Sequence, residues 1–326
     1  MLRPACSLAV VLLWAGAVEA GPPALRSAHA IVVDDATGEV LVQKNGDTAA
    51  PIASLTKLLT AMVVIDARQD PDELLRVMPA DRDGRSSGGL RVGALASRGS
   101  LLELALMASD NHAAAALARN YPGGLPGFHA AMQRKLASLQ LTHTVIEEPT
   151  GLSAGNVSSA QDLAKVLRAA ATYPLIAEIT SRRSQMVRVN GRPLAVHNTN
   201  PLVGTPGWNI LLSKTGFTND AGRCLSMRLE AAGRTVSVVL LGAVSSAQRA
   251  VDALQIRHWL GRGEKPSVAT APAPAPAAAT ATAAREPPRR ARLLFATARE
   301  RDGALEPRPG FLAEAAQPAA SGPSAE

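Results

Sequence analysis

Asn209-Ile210-Leu211-Leu212-Ser213-Lys214-Thr215-Gly216-Phe217, Cys224-Leu225-Ser226-Met227-Arg228-Leu229-Glu230 and Thr235-Val236-Ser237-Val238-Val239-Leu240-Leu241-Gly242-Ala243-Val244 are three successive runs rich in aliphatic and β-branched residues. Runs of this length and composition read as strands. Ala231-Ala232-Gly233-Arg234 makes the second of the two turns between them, and Ala247 to Leu260 reads as a closing helix. Two further short β-prone runs lie at the other end of the chain, Ala28 to Val33 and Glu39 to Gln43. The turn cluster Asp34-Asp35-Ala36-Thr37-Gly38 joins them into a hairpin.

The middle of the chain has the opposite texture. Leu55 to Ala67, Ala113 to Arg119, Leu125 to Leu139 and Ala160 to Ala171 read as helices, with Tyr121-Pro122-Gly123-Gly124 as a break. Ser100 and Glu103 match the capping-box pattern ahead of the apolar run Leu101 to Met107. Asp70 to Gly99 is polar and rich in Gly and Arg, and reads as loops with short elements. Strands at both ends with helices between predict an α+β fold: one antiparallel sheet built from both termini, flanked by helices, with a helical middle subdomain.

The 326 residues allow one large domain with appendages. They are 47% hydrophobic but only 3% aromatic, so the core is expected to rest on Ala, Leu and Val. The formal net charge of +7 is dispersed, with no basic block and no zinc-finger or RNP-like signature, so nucleic acid is not an expected partner. Arg3, the apolar Leu8 to Val18 and the small-residue site Val18-Glu19-Ala20 read as a secretory signal over residues 1–20. Residues 21–264 are then the folded domain. Residues 265–326 start with an Ala/Pro/Thr stretch and read as a disordered Ala/Pro/Arg-rich tail. Leu293-Leu294-Phe295 among arginines leaves room for weak peripheral membrane contact through that tail. Cys6 falls within the signal. Cys224, the other cysteine, sits in an apolar run and reads as a small buried hydrophobe. Without a His-x-x-x-His or a Cys pair, neither a metal nor a cofactor is expected.

Three short motifs carry the chemistry: Ser54-Leu55-Thr56-Lys57, Ser109-Asp110-Asn111 and Lys214-Thr215-Gly216. Each alone has a plain structural explanation as a helix start, a turn or a strand bend. Their order and placement argue for more. At a helix start, residues i and i+3 share a face, so Lys57 can reach the Ser54 hydroxyl. A serine is a weak nucleophile until a base takes its proton. Ala53, Leu55, Leu58 and Leu59 are apolar surroundings that favour a neutral lysine. The free N–H groups of the helix start make the Ser54 N–H a natural oxyanion donor. Ser109 and Asn111, between two helices, can relay a proton and hydrogen-bond a substrate backbone. Lys214-Thr215-Gly216 falls on a strand beside which an extended peptide can lie. Lys214 and Thr215 offer a cation and a hydroxyl to a carboxylate. Gly216 permits close approach, and the Phe217 N–H is the second candidate oxyanion donor.

The ordered trio is shared by class A β-lactamases and penicillin-binding proteins. Over residues 25–262 the chain resembles the low-molecular-weight penicillin-binding proteins, the serine D-alanyl-D-alanine peptidases, and within them the endopeptidase branch. Ala53 to Leu58, Glu148-Pro149-Thr150-Gly151-Leu152-Ser153, Lys214 to Asn219, Tyr121 to Gly124 and Asn198-Thr199-Asn200 look like family signatures. The resemblance implies a β-lactamase/transpeptidase-like fold. It implies Ser54 as the acylated nucleophile, Lys57 as its general base, and Ser109 with Asn111 as proton relay and substrate contact. Lys214, Thr215 and, by spacing alone, Arg249 would hold the carboxylate beside the scissile bond. The partners implied are peptidoglycan peptides and β-lactam antibiotics, and the location implied is the periplasm.

Three other functions fit parts of the same pattern. A class A-like β-lactamase needs a glutamate to activate water; Glu148 is at a tempting distance, but it opens the peptidase-type Glu-Pro-Thr-Gly-Leu-Ser segment. A carboxypeptidase of the family usually carries a second β-rich domain, for which too little chain follows Leu260. That departure favours cleavage of D-alanyl–diaminopimelate cross-links. A non-catalytic wall-binding module would have lost Ser54 or Lys57, and both are present.

Overall fold

The computed structural model describes residues 21–82 and 89–262. The expected signal at residues 1–20 and the tail at 265–326 lie outside the described residues. The chain begins with β1 (His29–Asp34), β2 (Val40–Lys44), a short β3 (Ala50–Pro51) and α1 (Thr56–Asp66). Next come β4 (Leu74–Arg76), β5 (Leu95–Ser97), α2 (Arg98–Met107), α3 (Asn111–Arg119) and α4 (Gly124–Ser138). Then follow β6 (Val157–Ser158), α5 (Ala160–Ala170), α6 (Pro174–Ser181), β7 (Ser184–Val189) and β8 (Arg192–His197). The chain closes with β9 (Asn209–Thr218), β10 (Gly222–Ala231), β11 (Arg234–Ala243) and α7 (Ser246–Gly261).

The main sheet has five antiparallel strands in the order β2-β1-β11-β10-β9, so the first and last strands of the described residues, β1 and β11, pair. Strand alternation gives it two buried faces. Ile31 and Val33 of β1 enter the core shared with α1 to α6. Ala30 and Val32 enter a second core closed by Ile256, Trp259 and Leu260 of α7. Burying each such aliphatic side chain stabilises the fold by about 1.5–3 kcal/mol. A separate four-stranded sheet, β4-β5-β7-β8, flanks the helices, and β3 pairs with β6.

Details of the helical middle differ from the sequence expectation. The N-cap of α2 is Ser97, whose hydroxyl accepts from the Ser100 N–H at 3.1 Å. The two serines are three apart, so either can begin a capping pattern, but only Ser97 has the extended backbone that a cap needs. Glu103 is then free to reach Gln185 of β7 instead of bracing the helix start. The helix α6 was not expected from the sequence; Pro174 at its first turn is the signal that marks it.

The segment before β1 is latched to α7. Arg26 N, Ser27 N and Ser27 Oγ donate to the fully buried Asp252 carboxylate at 3.0, 2.7 and 2.6 Å. Asp252→Ala leaves these donors without their acceptor, and is expected to lower unfolding free energy by about 2–4 kcal/mol in urea melts. An unchanged midpoint would show that the latch holds nothing.

Candidate active site

Ser54 sits in a 3₁₀ turn, Ala53–Leu55, that leads into α1. Ala53 takes φ +48°, a left-handed conformation that costs energy for a residue with a side chain. Neighbouring groups hold it there. Ala53 O accepts from Thr56 Oγ1 at 2.8 Å, Thr56 Oγ1 accepts from Asn156 Nδ2 at 3.1 Å, and Ile52 N donates to Asn156 O at 3.1 Å. The half-buried Ser54 hydroxyl is thereby turned toward Lys57, one helical turn on.

Lys57 is almost fully buried among Leu55, Leu58 and Leu59. Its Nζ lies 2.9 Å from Ser54 Oγ, 2.8 Å from Asn111 Oδ1 and 2.5 Å from Thr150 O. Burial pushes its pKa down to about 7, against the Glu148 and Asp110 carboxylates, which raise it. The neutral amine has two N–H bonds and one lone pair. Asn111 Oδ1 and Thr150 O can only accept, so they take both N–H bonds and aim the lone pair at the Ser54 hydroxyl. That geometry can remove the serine proton.

The second motif splits its work among three residues. Ser109, between α2 and α3, has φ +59° and projects its hydroxyl into the site. Asp110 caps α3, its Oδ1 accepting from Ala113 N at 2.9 Å. Asn111 opens α3 and turns to Lys57. In the third motif, Lys214 turns toward Ser109. Its Nζ is buried and donates to Ser109 Oγ at 2.8 Å and Thr215 O at 3.0 Å. Burial, then Lys57 and Arg249, lower its pKa well below the usual lysine value. Lys214 therefore stands behind Ser109 and does not line the open cleft, whose volume is about 550 Å³. Ser54, Ser109, Asn111, Thr215, Phe217 and Arg249 do line it. Gly216 allows the strand to lie against the nucleophile: a Cβ there would come 3.0 Å from Ile52 O and 3.1 Å from Ser54 N.

With the motifs in one cleft, likeness to known proteins becomes informative. The family described as D-alanyl-D-alanine carboxypeptidase matches residues 17–245. The chain belongs to this family of serine peptidases. It is 42% identical over 275 residues to a D-alanyl-D-alanine endopeptidase of Pseudomonas aeruginosa, covering 80% of this chain and 89% of that one. It is 42% identical over 255 residues to a D-alanyl-D-alanine endopeptidase of Escherichia coli K12, covering 77% and 82%. The crystal structure of a D-alanyl-D-alanine carboxypeptidase from Mycobacterium tuberculosis H37Rv superposes with a TM-score of 0.69 at 28% identity, over 77% of this chain and 96% of that one. The fold is therefore the penicillin-binding α+β architecture.

Several further residues complete this peptidase site; Thr150, Thr199 and Glu148 lie in family-like segments quoted above, while Asn156 carried no sequence signal. Thr150 contributes a backbone carbonyl, which any residue type could supply. Asn156 braces the Ser54 turn and the Glu148 segment together, accepting from Glu147 N and Glu148 N and donating to Glu148 O. Thr199 accepts from Thr215 Oγ1 at 2.6 Å and fixes that hydroxyl in the cleft. Glu148, the residue a β-lactamase reading would need as a base, is occupied. Its carboxylate accepts from Thr150 N, Thr150 Oγ1 and Gly151 N at 2.6 Å each, and from Leu152 N at 2.8 Å. It shapes the turn that presents Thr150 O to Lys57. Arg249 Nη1 donates to Cys224 O at 2.9 Å, and burial lowers its pKa from the usual arginine value. Burial pushes the Cys224 thiol up to about 11, far from a reactive thiolate. Among the described residues, no cluster of His, Cys, Asp and Glu could hold a metal, and no helix is long and apolar enough to cross a membrane.

Proposed function

We propose that this peptidase is a periplasmic endopeptidase that cuts D-alanyl–diaminopimelate cross-links of peptidoglycan through an acyl-enzyme on Ser54. The observation that carries the reading is the buried Lys57 amine, with both N–H bonds engaged and its lone pair on the Ser54 hydroxyl. Lys57 takes the Ser54 proton as Oγ attacks the D-alanyl carbonyl. Ser54 N–H and Phe217 N–H receive the oxyanion. The C–N bond then breaks as the proton that Lys57 took from Ser54 passes through the Ser109 hydroxyl, held by Lys214, to the leaving amine, which leaves Lys57 neutral again. Water attacks the ester by the reverse path and frees Ser54. Asn111 also meets the substrate backbone. Thr215 and Arg249 hold the carboxylate next to the scissile bond, with Gly216 giving the peptide room beside β9.

The names of the relatives in Pseudomonas aeruginosa and Escherichia coli support the endopeptidase branch. The family description supports carboxypeptidase action as the second reading, since both reactions cut beside a D-centre bearing a carboxylate. Acylation of Ser54 by β-lactams follows from the same mechanism, because the strained amide stands in for the D-alanyl bond. Residues 1–20 would direct export, and the basic tail would give at most weak peripheral membrane contact.

Purified muropeptide dimers, incubated with the protein and weighed by mass spectrometry, are expected to fall to monomers. Loss of one terminal alanine with dimers intact would establish the carboxypeptidase instead. No turnover together with an unmodified Ser54 after penicillin treatment would leave a wall-binding module.

A further inference from the structure

One end of the cleft carries positive charge that no carboxylate among the described residues pairs with. Arg223, the second residue of β10, lies directly opposite Phe217 of β9. Its guanidinium carbon lies 3.5 Å from the Phe217 ring centroid, so the flat cation rests on the ring. Phe217, on the edge strand β9, is itself 47% exposed. Arg223, Phe217 and Arg249 line the same cleft as Ser54. Ser246, the first residue of α7, lines it too and adds the positive end of a helix. Among the described residues, neither Arg223 nor Arg249 has a carboxylate within salt-bridge distance. Arg249 finds only a backbone carbonyl, and Arg223 further depresses its pKa. Two cations placed side by side without an acid are complementary to an anionic ligand that carries more than one charge.

The inference rests on the endopeptidase reading and concerns the leaving half of its substrate. A terminal D-alanine brings one carboxylate and a methyl group. The leaving half of a cross-link brings that carboxylate, a chain of methylenes and a second peptide with carboxylates of its own. We propose that Arg223, held flat on Phe217, binds a second carboxylate on the leaving peptide and so selects cross-linked peptides over a single terminal D-alanine. The methylene chain lies along the exposed Phe217 ring, while Arg249 keeps the first carboxylate. Arg223 is thus a specificity residue that touches the leaving peptide and takes no part in proton transfer.

Arg223→Gln and Arg223→Lys are compared with the natural protein on muropeptide dimers, on dimers in which every leaving-strand carboxylate except the one beside the scissile bond is amidated, and on a β-lactam, which has no leaving peptide. The ratio of dimer cleavage to β-lactam acylation is expected to fall about tenfold in Arg223→Gln, through KM, and to be largely kept in Arg223→Lys. Amidated dimers are expected to be cut about tenfold more slowly by the natural protein, with no further loss in Arg223→Gln. Equal losses on native and amidated dimers would reduce Arg223 to a structural role and overturn the proposal. If the natural protein cuts dimers and Arg223→Gln cuts them equally well, this proposal alone fails. If the natural protein does not cut dimers, the endopeptidase reading fails and the proposal falls with it.

Discussion

Lys57→Met lowers the rate of Ser54 acylation by about 10²–10⁴, the contribution expected of a positioned general base. The measurement is the growth of a β-lactam adduct on the Ser54 peptide, followed by mass. Methionine fills nearly the same volume but has no lone pair directed at the hydroxyl and no N–H for Asn111 Oδ1 or Thr150 O. Those two buried acceptors lose their donor, at about 1–3 kcal/mol each. Against that, a buried amine no longer has to be kept out of water, so the variant is expected to stay folded. In the natural protein, acylation should also rise with pH. With a pKa of about 7, half the Lys57 amines are neutral near pH 7, and two units lower only about 1% are. The rate at pH 5 is therefore expected to be roughly a hundredfold below its plateau. The same shift has a thermodynamic sign. Folded Lys57 gives up its proton near 7 while the unfolded lysine holds it to 10.5, so stability rises with pH between those values. A flat acylation profile from pH 5 to 9, or a Lys57→Met protein that acylates normally, would remove Lys57 from the mechanism.

The part of this site that the sequence exposes is the part built from local geometry. Ser54 and Lys57 are one helical turn apart, so their meeting follows from the period of a helix alone. The five-stranded sheet was legible for a similar reason. Each of its long strands carries its own pattern, and turns such as Ala231 to Arg234 fix which strands are neighbours. What the sequence concealed are contacts over long separations and contacts made by backbone. Lys214 meets Ser109 across 105 positions, so its place behind that serine, away from the open cleft, could be seen only in the fold. Thr150 acts through a carbonyl that carries no side-chain signature. Asn156 reads as a loop residue, yet it bonds to Thr56 a hundred positions away. The capping of α2 was misplaced because Ser97 and Ser100 satisfy similar local rules, and only the backbone, extended at Ser97, tells them apart.

The Glu148 to Ser153 turn shows how such a hidden contact can be tested. Gly151→Ala is expected to cut Ser54 acylation by at least about a hundredfold. Gly151 has φ +85°, and a Cβ there would stand 2.0 Å from Ala53 O, 2.4 Å from Ala53 C and 2.8 Å from Ser54 N. All three are backbone atoms of the nucleophile's own turn, so no side chain can swing aside. The backbone conformation alone costs about 1–3 kcal/mol for a residue with a side chain. Overpacking adds about as much again. A domain of ordinary stability can absorb that sum and remain folded. It can do so only by moving Thr150 O away from Lys57 or Ser54 out of line, and a shift of about 1 Å in a reacting group costs on the order of a hundredfold. Gly155, four residues on, provides the comparison. The three atoms nearest to a Cβ there belong to the Glu147 carboxylate, the far end of a flexible side chain. Gly155→Ala should therefore melt and acylate close to the natural protein. Thermal unfolding with β-lactam acylation on both variants separates the two effects. A Gly151→Ala protein that acylates as fast as Gly155→Ala would mean that the turn does not position the nucleophile.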